Sequence, residues 1–263
     1  MTISIVIPLY KKIEECKRNL VSNWQYFGGH EVIVVNDNPT DIAPLSVDPF
    51  FTERKITLIH SESNGGFAPA VNLGVTHATG DILFILNTDV LLESADWQRT
   101  LTYFTDDPQL FAVSLTTRER DSKLQGRNEV YFEKGLYHHR GLPLDTPSSE
   151  TKALIPNAWA ELGSALIRKS MWQQLGGLDE MFAPFYWEDV DLSYRAKKQG
   201  WKVLLDSSVV VQHHHESTIG SFYTKEEVKK IAYRNQLYFT QKFARGPRLA
   251  QYFLWKLKRL LLG

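Results

Sequence analysis

The chain has 263 residues, 43% of them apolar and 12% aromatic, which excludes a disordered or fibrous protein and leaves enough apolar material for a sizeable core. Thirty basic and thirty acidic residues cancel, so no overall positive field argues for nucleic-acid binding. The single cysteine, Cys16, excludes an internal disulfide, fits a reducing compartment and reads as a buried thiol of the first helix.

In chain order, the opening Met-Thr-Ile-Ser-Ile-Val-Ile-Pro has no basic leader, so 3–7 is expected as a strand and not an export signal. No apolar stretch reaches the ~20 residues of a bilayer span, and the body is expected to be cytoplasmic. A β-branched run at 31–35 follows a mixed segment containing Leu20, Val21, Trp24 and Phe27, which is a strand, helix, strand unit. Strands at 55–59 and 81–86 repeat the pattern around a helix over 67–78. Pro69 fits only near the start of that helix, after the loop Asn64-Gly65-Gly66. Four alternating units within residues 1–90 point to a nucleotide-binding α/β region.

Beyond Asn87 the rhythm loosens. A strand over 110–115 precedes 117–156, rich in charge, glycine and proline and expected as loops or hairpins over one face of the sheet. Then come a strand over 163–167, a helix over 169–175, a Gly176-Gly177 break, a helix over 190–199 closed by Gly200, a strand over 203–211 and a helix over 226–243. The economical division is one domain over 1–241, its first 90 residues mainly for a nucleotide and 91–241 mainly for an acceptor and catalysis, plus a tail over 242–263.

That tail has six basic residues and no acidic one, leaving 1–241 with a formal charge of −6. Leu249, Tyr252, Phe253, Trp255, Leu257, Leu260, Leu261 and Leu262 interleave with the basic residues. Two readings stand: an interfacial helix on the cytoplasmic face of an anionic inner membrane, or a helix docked on the body or on a second copy as a homodimer.

Several strand ends carry polar clusters. Val34-Val35-Asn36-Asp37 ends the second strand, where Asp37 would accept hydrogen bonds from a base or ribose; a plain turn is the alternative. No GxGxxG follows the first strand, and no GxxxxGK[ST] supplies a phosphate loop. Asn87 and Asp89 alternate along an extended segment and so share a side, suited to a divalent cation bridging a diphosphate or to an Asx-turn. From Gly176 to Leu192, acidic side chains stand among aromatic ones, a mixture suited to sugar binding, although Glu188 and Asp189 at a helix start also suit capping. Gln212-His213-His214-His215 ends the last strand, and alternate imidazoles there could bind metal.

Together and in this order these fragments resemble the family 2 glycosyltransferases, over about residues 3–242. The shared pieces are Ile5-Val6-Ile7-Pro8, the V-V-N-D-x-x-T-D pattern at 34–41, N-x-G-x-x-x-A-x-N-x-G through Asn64, Gly66, Ala70, Asn72 and Gly74, L-N-x-D at 86–89, G-G-x-D-E, W-E-D-V-D-L-x-x-R ending on Arg195, the late histidine, and Arg234-Asn235. The resemblance implies a GT-A fold: a single mixed, mostly parallel sheet flanked by helices, with a Rossmann-like nucleotide-binding half, an acceptor-binding half and a C-terminal helical appendage. It implies inverting transfer from a nucleotide-diphospho-sugar, dTDP-rhamnose or a UDP-sugar, to a glycan or lipid-linked glycan in bacterial surface polysaccharide synthesis. Pro8, Asp37, Asn64, Gly66, Asn72, Asn87 and Asp89 would contact the donor, Asp89 and His213 would hold Mn2+ or Mg2+, Asp189 would be the catalytic base, and Trp187 and Glu188 would meet the acceptor. Asn87 departs from the usual D-x-D, offering a neutral, weaker oxygen ligand. Competing classes are a silent glycan-binding or scaffold module, a glycoside hydrolase and a nucleotidyl transferase.

Overall fold

The computed structural model describes residues 1–119, 121–144, 153–213 and 218–262. Its elements, in order, are β1 (Ile3–Leu9), α1 (Ile13–Trp24), β2 (Glu31–Asn36), α2 (Ile42–Ser46), α3 (Pro49–Glu53), β3 (Thr57–His60), α4 (Phe67–His77), β4 (Ile82–Leu86) and β5 (Val90–Leu92). They continue as α5 (Thr100–Asp106), β6 (Leu110–Arg118), β7 (Leu124–Gln125), β8 (Asn128–Glu133), β9 (Leu136–Gly141), β10 (Leu154–Pro156), β11 (Ser164–Arg168), α6 (Lys169–Leu175), α7 (Glu188–Lys198), β12 (Lys202–His213), α8 (Thr218–Phe222), α9 (Lys225–Phe243) and α10 (Pro247–Leu262).

The main sheet runs β10-β12-β6-β11-β4-β1-β2-β3, with β5 on β12 and β7 on β6. Register follows the period of two. Ile5, Ile7, Val34, Phe84 and Leu86 face one layer with Cys16 and Leu20 of α1, Trp97, and Phe104 of α5. Val6, Ile33, Val35, Leu83 and Ile85 face the other, with Ala70 and Val71 of α4, Trp172 of α6 and Leu192 of α7. Both faces are covered, which is why the strands read as continuous apolar runs. Burial pushes the Cys16 thiol up to about 12, with Glu15 beside it adding to the shift, so it is an inert core residue. Gly74 on α4 is required by the same packing: a Cβ there would stand 2.5 Å from a methyl of Val6.

Strands β1, β2, β3, β4, β6 and β12 all point the same way, because β11 is antiparallel to both β4 and β6, and β12 is parallel to β6. Their carboxyl ends therefore meet along one edge. The excursion over 117–156 contains the separate hairpin β8–β9, which packs with α9 in a third apolar cluster around Phe239, Tyr137 and Trp187.

Helix α7 starts at Glu188, two residues before the start expected at 190, so Glu188 and Asp189 belong to its first turn. Lys242 belongs to α9, pairing at 2.6 Å with both Asp179 and Asp191; the chain breaks at Ala244 and the appendage is α10. Helices α2, α3 and α5 and strand β5 carry too few residues to show a period in the sequence.

Candidate active site

The edge where the parallel strands end opens into a cavity of about 450 Å³. Pro8 comes from β1, Asp37 from the end of β2, Asn87 and Asp89 from beyond β4, and His213 from the end of β12. Asn64 and Gly66 enter from the turn before α4, and Trp187, Glu188 and Asp189 from the start of α7. One space thus gathers all the sequence-expected site residues except Asn72.

Asn72 does other work. Its amide donates to the Leu178 carbonyl at 2.9 Å and to Glu180 at 3.0 Å and accepts from the Leu178 N–H at 2.9 Å, tying α4 to the loop that leads into α7. Asp37 faces the cavity but also accepts from the amides of Gly65 at 3.1 Å and Gly66 at 2.7 Å. Burial raises its pKa, and the two amides and Ser61 only partly oppose that. Gly66 has φ +88° and lies so close to Pro184 that a Cβ would stand 2.6 Å from its backbone, so glycine is needed there twice over.

The segment before α7 is strained. Tyr186 and Trp187 have φ of 73° and 80°, rare for bulky side chains. Asn235 on α9 fastens it by donating to the carbonyls of Phe182, Phe185 and Tyr186 at 2.6, 3.0 and 2.9 Å, and Arg234 binds both the Asn235 side chain and the Ala183 carbonyl. Below it, Asp191 pairs with Arg195 and Lys242, and Asp179 with Lys242 and Tyr238. The acidic run therefore divides: Asp179 and Asp191 hold structure, while Glu188 and Asp189 face the cavity.

Glu188 is buried, and its Oε2 makes no hydrogen bond; burial and then Asp189 push its pKa far above the usual carboxylate value. Asp189 keeps some surface open to the cavity and accepts from the Val190 N–H at 2.7 Å. Its depth and the nearby Glu161 charge raise its pKa well above the usual range.

At the other wall His213 Nε2 stands 3.2 Å from Asp89 Oδ1, and that buried oxygen satisfies no hydrogen bond of good geometry. Burial disfavours the imidazolium, but Asp89, with Glu119 and Glu161 beyond it, outweighs burial and raises the ring's pKa. Among the described residues no three His, Cys, Asp or Glu side chains form a complete ligand set. The donor pair nevertheless fits a hard divalent ion, being an orphaned carboxylate oxygen beside an imidazole nitrogen. Electrostatics favour the same conclusion. Asp37, Asp89, Glu119, Glu161, Glu188 and Asp189 line the cavity, and no lysine or arginine does so among the described residues. His214 and His215, the other candidate imidazoles, lie outside the described residues.

Sequence reasoning missed Glu161, His139 and Trp159. The imidazole of His139 meets the rings of Trp159 and Trp187 edge-on, centroids 5.3 and 4.6 Å apart, and Glu161 accepts from Asn128 at 3.1 Å. All three sit on the hairpin or the loop before β11, where only the fold brings them to the cavity.

Residues 4–156, more than half of the chain, match the family described as Glycosyl transferase family 2. The chain belongs to that family. It is 27% identical over 220 residues to the pre-mycofactocin glycosyltransferase of Mycobacterium tuberculosis, covering 82% of this chain and 43% of that protein. It is also 23% identical over 227 residues to the O-antigen biosynthesis protein RfbC of Myxococcus xanthus, covering 82% of this chain and 17% of that protein. The family 2 chain thus spans less than half the length of either relative. Among solved structures, the mannosyltransferase PcManGT of Pyrobaculum calidifontis, in complex with GDP-Man and Mn2+, superposes with a TM-score of 0.64 at 16% identity, covering 99% of this chain and 75% of that one. The family 2 domain has the GT-A fold.

Proposed function

We propose that this family 2 domain transfers a sugar, with inversion, from a nucleoside-diphospho-sugar to a hydroxyl of a glycan or lipid-linked glycan during the building of a bacterial surface polysaccharide. The observation that carries the reading is that Asp189 and the Asp89–His213 pair line the same cavity as Asp37 and the ends of the parallel strands. The names of RfbC and of the amylovoran biosynthesis glycosyltransferase AmsB of Erwinia amylovora support the pathway class. The donor is dTDP-rhamnose or a UDP-sugar.

In the proposed reaction the carboxylate of Asp189 accepts the proton of the acceptor hydroxyl as that oxygen attacks the anomeric carbon. The bond from that carbon to the diphosphate oxygen breaks, and the nucleoside diphosphate leaves. Burial raises the proton affinity of Asp189, which makes it a better base than an ordinary carboxylate. Asp37 meets the nucleoside, Trp187 and Glu188 orient the acceptor, and Asp89 and His213 hold Mn2+ or Mg2+. When bound, that ion neutralises the diphosphate and favours its departure.

The test is a screen of the purified chain for nucleoside-diphosphate release across dTDP-, UDP- and GDP-sugars with Mg2+ or Mn2+, then of the best donor with glycan and polyprenyl-linked acceptors. Release with a new glycosidic bond in the product supports transfer. Binding without turnover across the panel favours a silent module, and cleavage of an unactivated glycan favours a hydrolase.

A further inference from the structure

Of the eleven exposed large apolar side chains among the described residues, five lie on α10: Phe253, Leu254, Leu257, Leu260 and Leu261, between 53% and 75% exposed. At 3.6 residues per turn they fall within one arc of about 120°. Lys256 and Lys258, both exposed, flank that arc on either side. The opposite face is occupied. Tyr252 is buried, Arg248 donates to the Tyr137 hydroxyl at 2.9 Å, and Arg259 lies over the Tyr233 ring, 4.9 Å from its centroid. The helix is therefore fixed to the body by one side and presents the other, apolar and bordered by lysines, to its surroundings.

We propose that this face of α10 docks on an anionic lipid surface. Charge complementarity selects that occupant. Helix α10 holds four basic residues, Arg248, Lys256, Lys258 and Arg259, and no acidic one, while 1–241 are net acidic, so a bilayer with negative headgroups attracts this helix and repels the body. A second copy stacked through the same face would bring like-charged lysines together. The docked helix is coupled to the site: Arg248 grips Tyr137 on β9, and two residues further along that strand His139 lines the cavity. A bilayer-bound α10 thus stands between the lipid surface and the hairpin, one helix diameter of about 10 Å apart. The docking does not depend on the transferase reading, since it is measured with no sugar donor present.

The test uses the full chain with vesicles of phosphatidylcholine alone or mixed with phosphatidylglycerol, followed by co-sedimentation, with analytical ultracentrifugation of the lipid-free protein alongside. Two variants are compared with the wild type, Phe253→Ser/Leu257→Ser/Leu260→Ser and Lys256→Gln/Lys258→Gln, each checked for unchanged circular dichroism. The wild type is expected to bind the anionic vesicles at least roughly tenfold more tightly than the neutral ones, and each variant to lose roughly tenfold or more of that affinity. Should the triple variant not fold, the lysine variant alone decides the matter. Equal binding to both vesicle types, variants that bind like the wild type, or a lipid-free dimer dissociated by the serine substitutions with no vesicle binding overturns the proposal.

Discussion

Asn235 and Tyr186 lie 49 residues apart in the chain and are joined by a 2.9 Å hydrogen bond from the side-chain amide of one to the backbone carbonyl of the other. The same amide serves Phe182 and Phe185, so one buried side chain fixes the backbone that carries Tyr186 and Trp187 at positive φ. Asn235→Ala leaves buried carbonyls without donors and lets the strained segment relax. Unfolding in urea is expected to show a loss of about 2–4 kcal/mol, and donor turnover to fall along with it. Undiminished stability and turnover would mean the segment holds its shape by packing alone.

Asp189 as general base makes a sharp pair of expectations. Asp189→Asn should lower transfer by about 10²–10⁴-fold, with the donor dissociation constant changed by no more than about twofold, because the amide keeps the shape but cannot take the proton. Isothermal titration with donor and metal, beside initial rates, separates the two. Weakened donor binding matched to the fall in rate would instead make Asp189 a donor-binding residue.

The acid limb of the rate follows from the same group. Burial and then Glu161 raise the pKa of Asp189, and the proposed mechanism needs its ionised form, so kcat/KM is expected to fall as pH drops through that raised value, well above the ~4 of an ordinary carboxylate. Glu161→Gln removes the like charge and moves the limb to lower pH. A limb at ordinary carboxylate pH in the parent enzyme would assign the base elsewhere.

Glu188 makes a prediction of opposite sign, on stability. Its folded pKa is raised by burial and by Asp189 above the value in the unfolded chain. Its contribution is therefore most favourable below the unfolded value and is lost as pH rises through the folded one, so the charged form weakens the fold in alkaline solution. Glu188→Gln should raise stability at pH 8–9 by about 1–3 kcal/mol and have little effect at pH 4. A Tm difference independent of pH would show that the side chain is neutral throughout or solvated.

Much of this was legible because the sequence signal and the physical cause coincide. The continuous apolar runs at β1, β2 and β4 report strands buried on both faces, and the polar residues that end them report the edge where the site lies. The motif through Gly66, Asn72 and Gly74 was legible as a pattern but not in its cause: two of its members exist for close packing and one for tying α4 to Leu178. Asp179 and Asp191 looked like Glu188 and Asp189 in the sequence, and what separates the two pairs is their partners: Lys242, over fifty residues on, for both, with Tyr238 for Asp179 and Arg195 for Asp191. His139, Trp159 and Glu161 left no local pattern, since the hairpin and the loop before β11 reach the cavity through tertiary packing alone.

Asp89 and His213 carry the prediction for the metal. The buried Oδ1 of Asp89 satisfies no good hydrogen bond, His213 stands 3.2 Å away, and the surrounding wall is acidic, so a diphosphate meets repulsion there unless a cation accompanies it. Nucleoside-diphosphate binding by the wild type is expected to strengthen by at least roughly tenfold on adding Mn2+ and to return to its metal-free value with a chelator. Asp89→Ala should abolish that increment. His213→Ala should reduce it by a smaller factor, because the carboxylate keeps the charge that attracts the ion. Calorimetry with and without Mn2+ on all three proteins measures both effects, and titrations of Asp89→Ala that match the wild type in the presence of Mn2+ would reject this pair as the metal's ligands.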